Sequence, residues 1–185
     1  HHPQMELTLV ERGSGTLFIG DSMTRFQAPD LVLIGPDLPH FWHMRQASAG
    51  FALQFQAGAE HPVWQFPESA ALRALWEEAG RGVRVSGAAG QAVAAALHEA
   101  AEYGGGMRRL AAFMRILAAL AEAEPGDRHA LASTTFAPPE SQIAYRGLQK
   151  AIKRIFNHFH EDLTFESIRR ESGMSKATFE RHFKR

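Results

Sequence analysis

Residues 163–185 read LTFESIRRESGMSKATFERHFKR, and this stretch decides how the chain is understood. It opens with a short apolar-patterned helix carrying Phe165 and Ile168. A tight turn follows at Ser172-Gly173-Met174, where Gly173 can take the positive φ that a sharp reversal needs. Thr164 and Ser175 stand where hydroxyl N-caps belong for the helices on either side of the turn. The second helix carries Phe179 and Phe183 on one side and Lys176, Arg181, His182, Lys184 and Arg185 around the rest. Two short helices joined by a glycine turn form a helix-turn-helix pattern, and the second helix of such a pair suits a DNA major groove.

If Phe179 and Phe183 turn inward with Ile168 and Met174, the candidate DNA-facing residues are Ser175, Lys176, Ala177, Thr178, Glu180, Arg181, Lys184 and Arg185. Arg181 is suited to a bidentate bond to guanine. Lys176, Lys184 and Arg185 suit phosphates, which position a helix without reading sequence. The charge distribution points the same way. Residues 1–141 hold 10 Lys and Arg against 15 Asp and Glu, a net of −5, whereas residues 142–185 hold 10 against 5, a net of +5. A local basic excess is the electrostatic footprint of a phosphate-binding segment. The plainer alternative is a helical hairpin with a solvated basic face.

The 185 residues allow one large domain or two small ones. Apolar content of 45% and charge of 22% are ordinary for a globular protein. Cysteine is absent, which excludes disulfides and thiolate metal sites and fits a reducing cytoplasm. No apolar run approaches the roughly 20 residues that a membrane helix needs, and no signal peptide is visible. The sequence opens on His1 rather than Met, so a native start upstream, or a replaced one, is expected.

Residues 5–57 read as strands: 7–10, 16–19, 23–26, 31–34, 41–44 and 51–55, separated by Gly, Pro and Asp turns. That spacing predicts a sandwich or barrel. Residues 70–79, 88–102 and 107–122 read as helices, with Val93, Leu97 and Ala101 on one stripe and Leu110, Phe113, Met114, Leu117 and Leu120 on another. The second and third helices, split by Gly104-Gly105-Gly106, would pack on the strands or on a second subunit. Residues 124–141 are rich in Pro, Gly, Ser and Thr and read as a linker. Helical rhythm restarts at 142, with Ile143, Leu148, Ile152, Ile155, Phe156 and Phe159 on one face. The expected fold class is α+β: a β-barrel with a C-terminal helical pair over 1–123, a linker over 124–141, and an all-α segment over 142–185.

The string GMSKATFERHFKR resembles the first helix-turn-helix of AraC-type transcription regulators through Gly173, Met174, Ser175, Phe179, Phe183, Lys184 and Arg185. Residues 2–21 and 29–43, HPQMELTLVERGSGTLFIGD and PDLVLIGPDLPHFWH, are similar to the two halves of the cupin-like sensor barrel of such regulators. The resemblance implies a DNA-binding regulator controlled by a small-molecule effector, dimeric through the middle helices and cytoplasmic, with double-stranded DNA as partner and no cofactor, membrane or catalysis. Regulators of this kind carry two helix-turn-helix motifs, so a chain ending after one is expected to be truncated and to bind DNA weakly and salt-sensitively. At Arg169 the family usually has Ala. A buried Arg is costly, so Arg169 must reach solvent or the helix pair is loosened.

Inside the barrel, Glu6, Arg25, His40, Trp42 and Gln54 are the candidate effector-lining groups, with strand parity deciding which face each takes. Cupin enzymes hold a metal with His and Glu, which makes His2, Glu6 and His40 weak metal candidates, with His1 and His43 nearby. Adjacent His1 and His2 point to opposite faces of a strand, so one at most looks inward. Three readings of His40 and His43 stand side by side: hydrogen bonding at strand ends, contact with an organic effector, or metal ligation. The alternative to a regulator is accordingly a metal-dependent cupin enzyme. A DNA-incompetent interaction protein that dimerises through the middle helices is a third class.

Overall fold

The computed structural model describes residues 2–58, 61–136 and 142–183. The chain divides into two compact units, His1–Phe136 and Ala137–Arg185.

The first unit is built from strands β1 Met5–Arg12, β2 Ser14–Ile19, β3 Ser22–Gln27, β4 Asp30–Ile34, β5 His40–Met44, β6 Ala49–Phe55, β7 Val83–Val85 and β8 Arg128–Ala130. Helices α1 Ala70–Ala79, α2 Gly87–Glu102 and α3 Gly106–Ala121 complete it. The strands form a five-stranded sheet of order β6-β1-β4-β7-β8 and a three-stranded sheet of order β3-β2-β5. Every pairing is antiparallel. The expected barrel is thus two facing sheets.

Period-two alternation sends the side chains of β1 to two different cores. Leu7 and Leu9 lie with Leu31, Leu33, Val83 and Val85 on the face covered by α1, α2 and α3. Val10, Val32 and Ile34 meet Leu17, Ile19, Phe26 and Leu38 between the sheets. With apolar groups on both faces, β4 is buried at all five positions. This explains why 31–34 reads as an unbroken apolar run.

The expected helix stripes need small corrections. On α2 the buried residues are Val93, Ala96, Leu97 and Ala100, and Ala101 is exposed. A strict spacing of four drifts about 40° per step around a helix of 3.6 residues per turn, so the covered face passes from Leu97 to Ala100. On α3 the buried face is Ala112, Ile116, Leu117 and Leu120. Leu110 is 42% exposed, on a hollow of about 300 Å³ that it lines with Leu53, Phe55, Ala100, Arg109 and Phe113. The hairpin α2–α3 packs on the five-stranded sheet, one of the two placements expected of it.

The linker expected over 124–141 is corrected where it is described. Residues 128–130 form β8 and pair with β7, placing Val83 opposite Ala130 and Val85 opposite Arg128. Beyond the strand, Leu131, Ala132 and Phe136 donate backbone hydrogen bonds to the carbonyls of Gly82, Arg81 and Gly80. Residues 137–141 lie outside the described residues.

The second unit contains α4 Gln142–His158, α5 Phe165–Ser172 and α6 Lys176–Phe183. Thr164 caps α5 through a capping box with Ser167. Gly173 ends it in the left-handed region at φ 70°. Ser175 Oγ accepts from the Thr178 N–H at 3.2 Å and so opens α6. Ile168, Met174 and Phe179 are buried, while Phe165 is 40% exposed with its ring against Phe179 at 5.0 Å. Gly147 lets α4 approach the turn: a Cβ there would fall 2.6 Å from Met174 Cε and 2.9 Å from the Ser172 carbonyl oxygen.

Candidate functional site

Between the two sheets a polar cluster interrupts the apolar core. Glu6 on β1 is 7% exposed. Register places it across from Gln54 on β6 and Ile34 on β4. Its carboxylate accepts from Thr8 Oγ1 at 2.6 Å and from Gln54 Nε2 at 2.9 Å. His2 Nε2 lies 2.7 Å from one carboxylate oxygen and His40 Nε2 lies 3.9 Å from the other.

The local chain explains how residues distant in sequence converge. The Asp37 N–H donates to the His2 carbonyl at 2.8 Å, tying the chain before β1 to the loop that leads into β5. His40 begins β5 opposite Ile19, and Trp42 follows opposite Leu17, so both face inward. The rings of His2 and His40 meet edge-on at 5.3 Å, and those of His40 and Trp42 at 5.8 Å. The indole N–H of Trp42 is buried with no hydrogen-bond partner among the described residues. A buried donor left in that state is costly unless a bound group satisfies it.

Burial pushes the Glu6 carboxyl pKa up, but the bonds from Gln54, Thr8 and His2, and the nearby His40, outweigh it, and the net direction is down. Burial pushes the His40 imidazole down, and its bond to the Leu38 carbonyl and the attraction of Glu6 do not recover the loss. The cluster therefore favours an ionised carboxylate beside a neutral His40.

Of the five expected effector-lining residues, Glu6, His40, Trp42 and Gln54 come together, and Arg25 does not. Arg25 pairs with Thr16 on β2, one position from the inward Phe26–Gly15 pair, and is exposed on the outer face. It lines a separate hollow of about 280 Å³ with Ser14, Gln27 and Arg45. His43, also opposite Thr16, takes that outer face too. Of the metal candidates, His2, Glu6 and His40 are brought together, with one potential ligand atom from each lying within 4.8 Å of the others. His1 lies outside the described residues. Thr8 was missed by the sequence reading. The signal was available, since it sits two residues from Glu6 on the same strand face.

On the second unit, Ser175, Lys176, Ala177 and Arg181 are exposed, and Thr178 and Glu180 are half-buried. Thr178 is held by the Ser175 hydroxyl, which donates to its Oγ1 at 2.9 Å. Lys184 and Arg185 lie outside the described residues.

Two facing antiparallel sheets backed by helices, with a polar cluster between them, define a cupin-like ligand-binding domain. The family of AraC-like ligand binding domains matches residues 1–137, and the chain belongs to that family. No curated protein and no solved structure matches the chain. No helix among the described residues is long and apolar enough to cross a membrane.

Proposed function

We propose that the chain is a cytoplasmic, homodimeric, ligand-controlled transcription regulator. A small molecule bound between the sheets shifts the population of states in which the C-terminal helices engage double-stranded DNA. The observation that carries this reading is that one chain joins a domain of the AraC-like ligand-binding family to a basic helical segment with a glycine-turned helix pair. Glu6, Gln54, His40 and Trp42 are the groups that would meet the effector. Lys176, Ala177 and Arg181, with Lys184 and Arg185 beyond them, would face DNA. The exposed Met107 and Leu110 on α3 support pairing of two chains through the helical hairpin. The family is typical of regulators, and this favours regulation over the alternative of a metal-dependent enzyme.

The test is selection of duplexes from a random pool on the purified chain at low salt, repeated with Arg181→Ala. An enriched motif that Arg181→Ala loses, in a variant that still melts like the parent, is the expected result. Failure to retain any duplex at about 50 mM salt, where phosphate contacts are strongest, would remove the DNA-binding half of the reading.

A further inference from the structure

We propose that the outer face of the three-stranded sheet binds single-stranded nucleic acid, with bases stacked on Phe18 and Phe41 and phosphates held by Arg25 and Arg45. This surface is separate from the cluster between the sheets, and the proposal is independent of the duplex-reading role given to the tail.

Strand register sets this face out in rows. Phe18 on β2 lies between Met23 on β3 and Phe41 on β5, and Thr16 lies between Arg25 and His43. The Arg45 N–H donates to the Ser14 carbonyl at 3.0 Å, which carries Arg45 into a third row. Alternation sends these side chains away from the inward Leu17, Ile19 and Phe26, and none of them is buried. One end of the face is apolar. The Phe18 and Phe41 rings lie side by side with centroids 6.3 Å apart, and Met23 is 70% exposed. The other end is cationic. Arg25 and Arg45 are exposed, line one hollow of about 280 Å³, and form no ion pair among the described residues.

Charge says what such a face would hold. Strands β2, β3 and β5 contain no Asp or Glu. Asp21, in the turn between β2 and β3, stands beyond the apolar end, and its carboxylate accepts from the Ser133 N–H at 2.9 Å. Residues 1–141 carry a net charge of −5, so a cationic face there stands against the sign of its surroundings and draws an anion. The phenyl row adds a demand for flat rings. Single-stranded nucleic acid meets both, because any base stacks on an aromatic ring while basic groups follow the phosphates. Rows two residues apart lie about 7 Å apart along a strand, so the arginines begin one row from the rings, within the reach of a nucleotide from base to phosphate. An acidic peptide would be drawn by the same charge. It would find no backbone partner on this face, because the central strand β2 spends its own backbone on β3 and β5.

The experiment follows, by anisotropy, the binding of a labelled short oligothymidine, which does not pair with itself, to the full chain from about 50 mM salt upward. Arg25→Gln and Arg45→Gln should each reduce the slope of log affinity against log salt by about 0.7, the single-strand value per phosphate contact. Phe18→Leu, which stays apolar but loses the ring, should weaken binding at least about 5-fold, the lower end for one stacked base. An abasic strand with the same number of phosphates should bind weaker by at least the same factor. Arg73→Gln, which removes an exposed charge from α1, should bind like the parent. Absence of oligothymidine binding overturns the proposal, as does binding that the two sheet arginine variants leave unchanged or that Arg73→Gln weakens as much. Equal binding of the abasic strand, or competition by polyglutamate as effective as by unlabelled oligothymidine at matched charge, would make this a general polyanion or acidic-peptide surface and overturns it too. Each variant is compared with the parent by thermal melting. If Phe18→Leu does not fold, the abasic strand decides the role of the rings.

Discussion

Arg169 of α5 donates a hydrogen bond from Nη1 to the backbone carbonyl of Met174 at 3.1 Å, across the turn that leads into α6. The same guanidinium pairs with Glu166, its Nε donating at 2.9 Å. A long cation at a position where a small residue is expected thus stays at the surface and spans the turn. Arg169→Ala should cost about 0.5–1.5 kcal/mol, the net worth of one ordinary hydrogen bond, because the Glu166 pair is exposed and adds little. Denaturant unfolding followed by helical signal checks this, and a loss above about 3 kcal/mol would contradict it.

Phe179 is fully buried against Phe165 and is the anchor of a small unit. Phe179→Ala should cost about 3–5 kcal/mol. Proteolysis should then cut within residues 142–183 while the first unit resists. Equal protection of both units would show that the ring carries little of the packing.

Gly147→Ala sets two magnitudes against each other. Alanine gains about 1 kcal/mol of helix propensity. The new Cβ, 2.9 Å from the Ser172 carbonyl oxygen, forces a shift typical of overpacking at about 1–3 kcal/mol. The net expectation is a destabilised second unit with α4 still helical, read from its thermal midpoint. A stabilised protein would mean the turn gives way freely.

Lys176→Ala and Arg181→Ala should separate positioning from reading. Lys176→Ala should weaken binding similarly for all duplexes and reduce the salt slope by about 1. Arg181→Ala should cost about 1–3 kcal/mol against the preferred sequence and relax its specificity. Anisotropy titrations at several salt concentrations distinguish them, and identical behaviour of the two variants would contradict the assignment.

Acid should destabilise the first unit. Burial lowers the folded pKa of His40 from 6.5, and the bonded carboxylate of Glu6 is held below 4.5. Both groups bind protons more readily when unfolded, so their contribution is complete above the unfolded values. It erodes from about pH 6.5 downward for His40 and from about pH 4.5 downward for Glu6. Thermal midpoints should fall on acidification, and His40→Gln should flatten the upper leg. Rising stability toward acid would contradict the sign.

Six strands and the helices of the first unit were legible because alternation and helical rhythm extend over five residues or more. Strands β7 and β8 were not, since three residues carry too little alternation to separate Val83-Arg84-Val85 from a loop. Glu6, His40, Trp42 and Gln54 were legible from polar groups set among apolar alternation. Arg25 misled because Met23 and Phe26 are both apolar and lie on opposite faces, so β3 offers two parities. Burial of Phe26 fixes the choice and turns Arg25 outward. The tail showed its caps and turn, but the route by which Arg169 avoids burial depends on where the Met174 carbonyl points, which no residue pattern encodes.

The backbone bonds lacing residues 131–136 onto residues 80–82 decide where the sensing half can be severed. Ending a recombinant fragment at Ala123 would strip the edge strand from β7 and remove Leu131 and Phe136 from the layer between the sheets. A fragment carried through Phe136 keeps that seam closed, and the shorter one should come out of expression as aggregate.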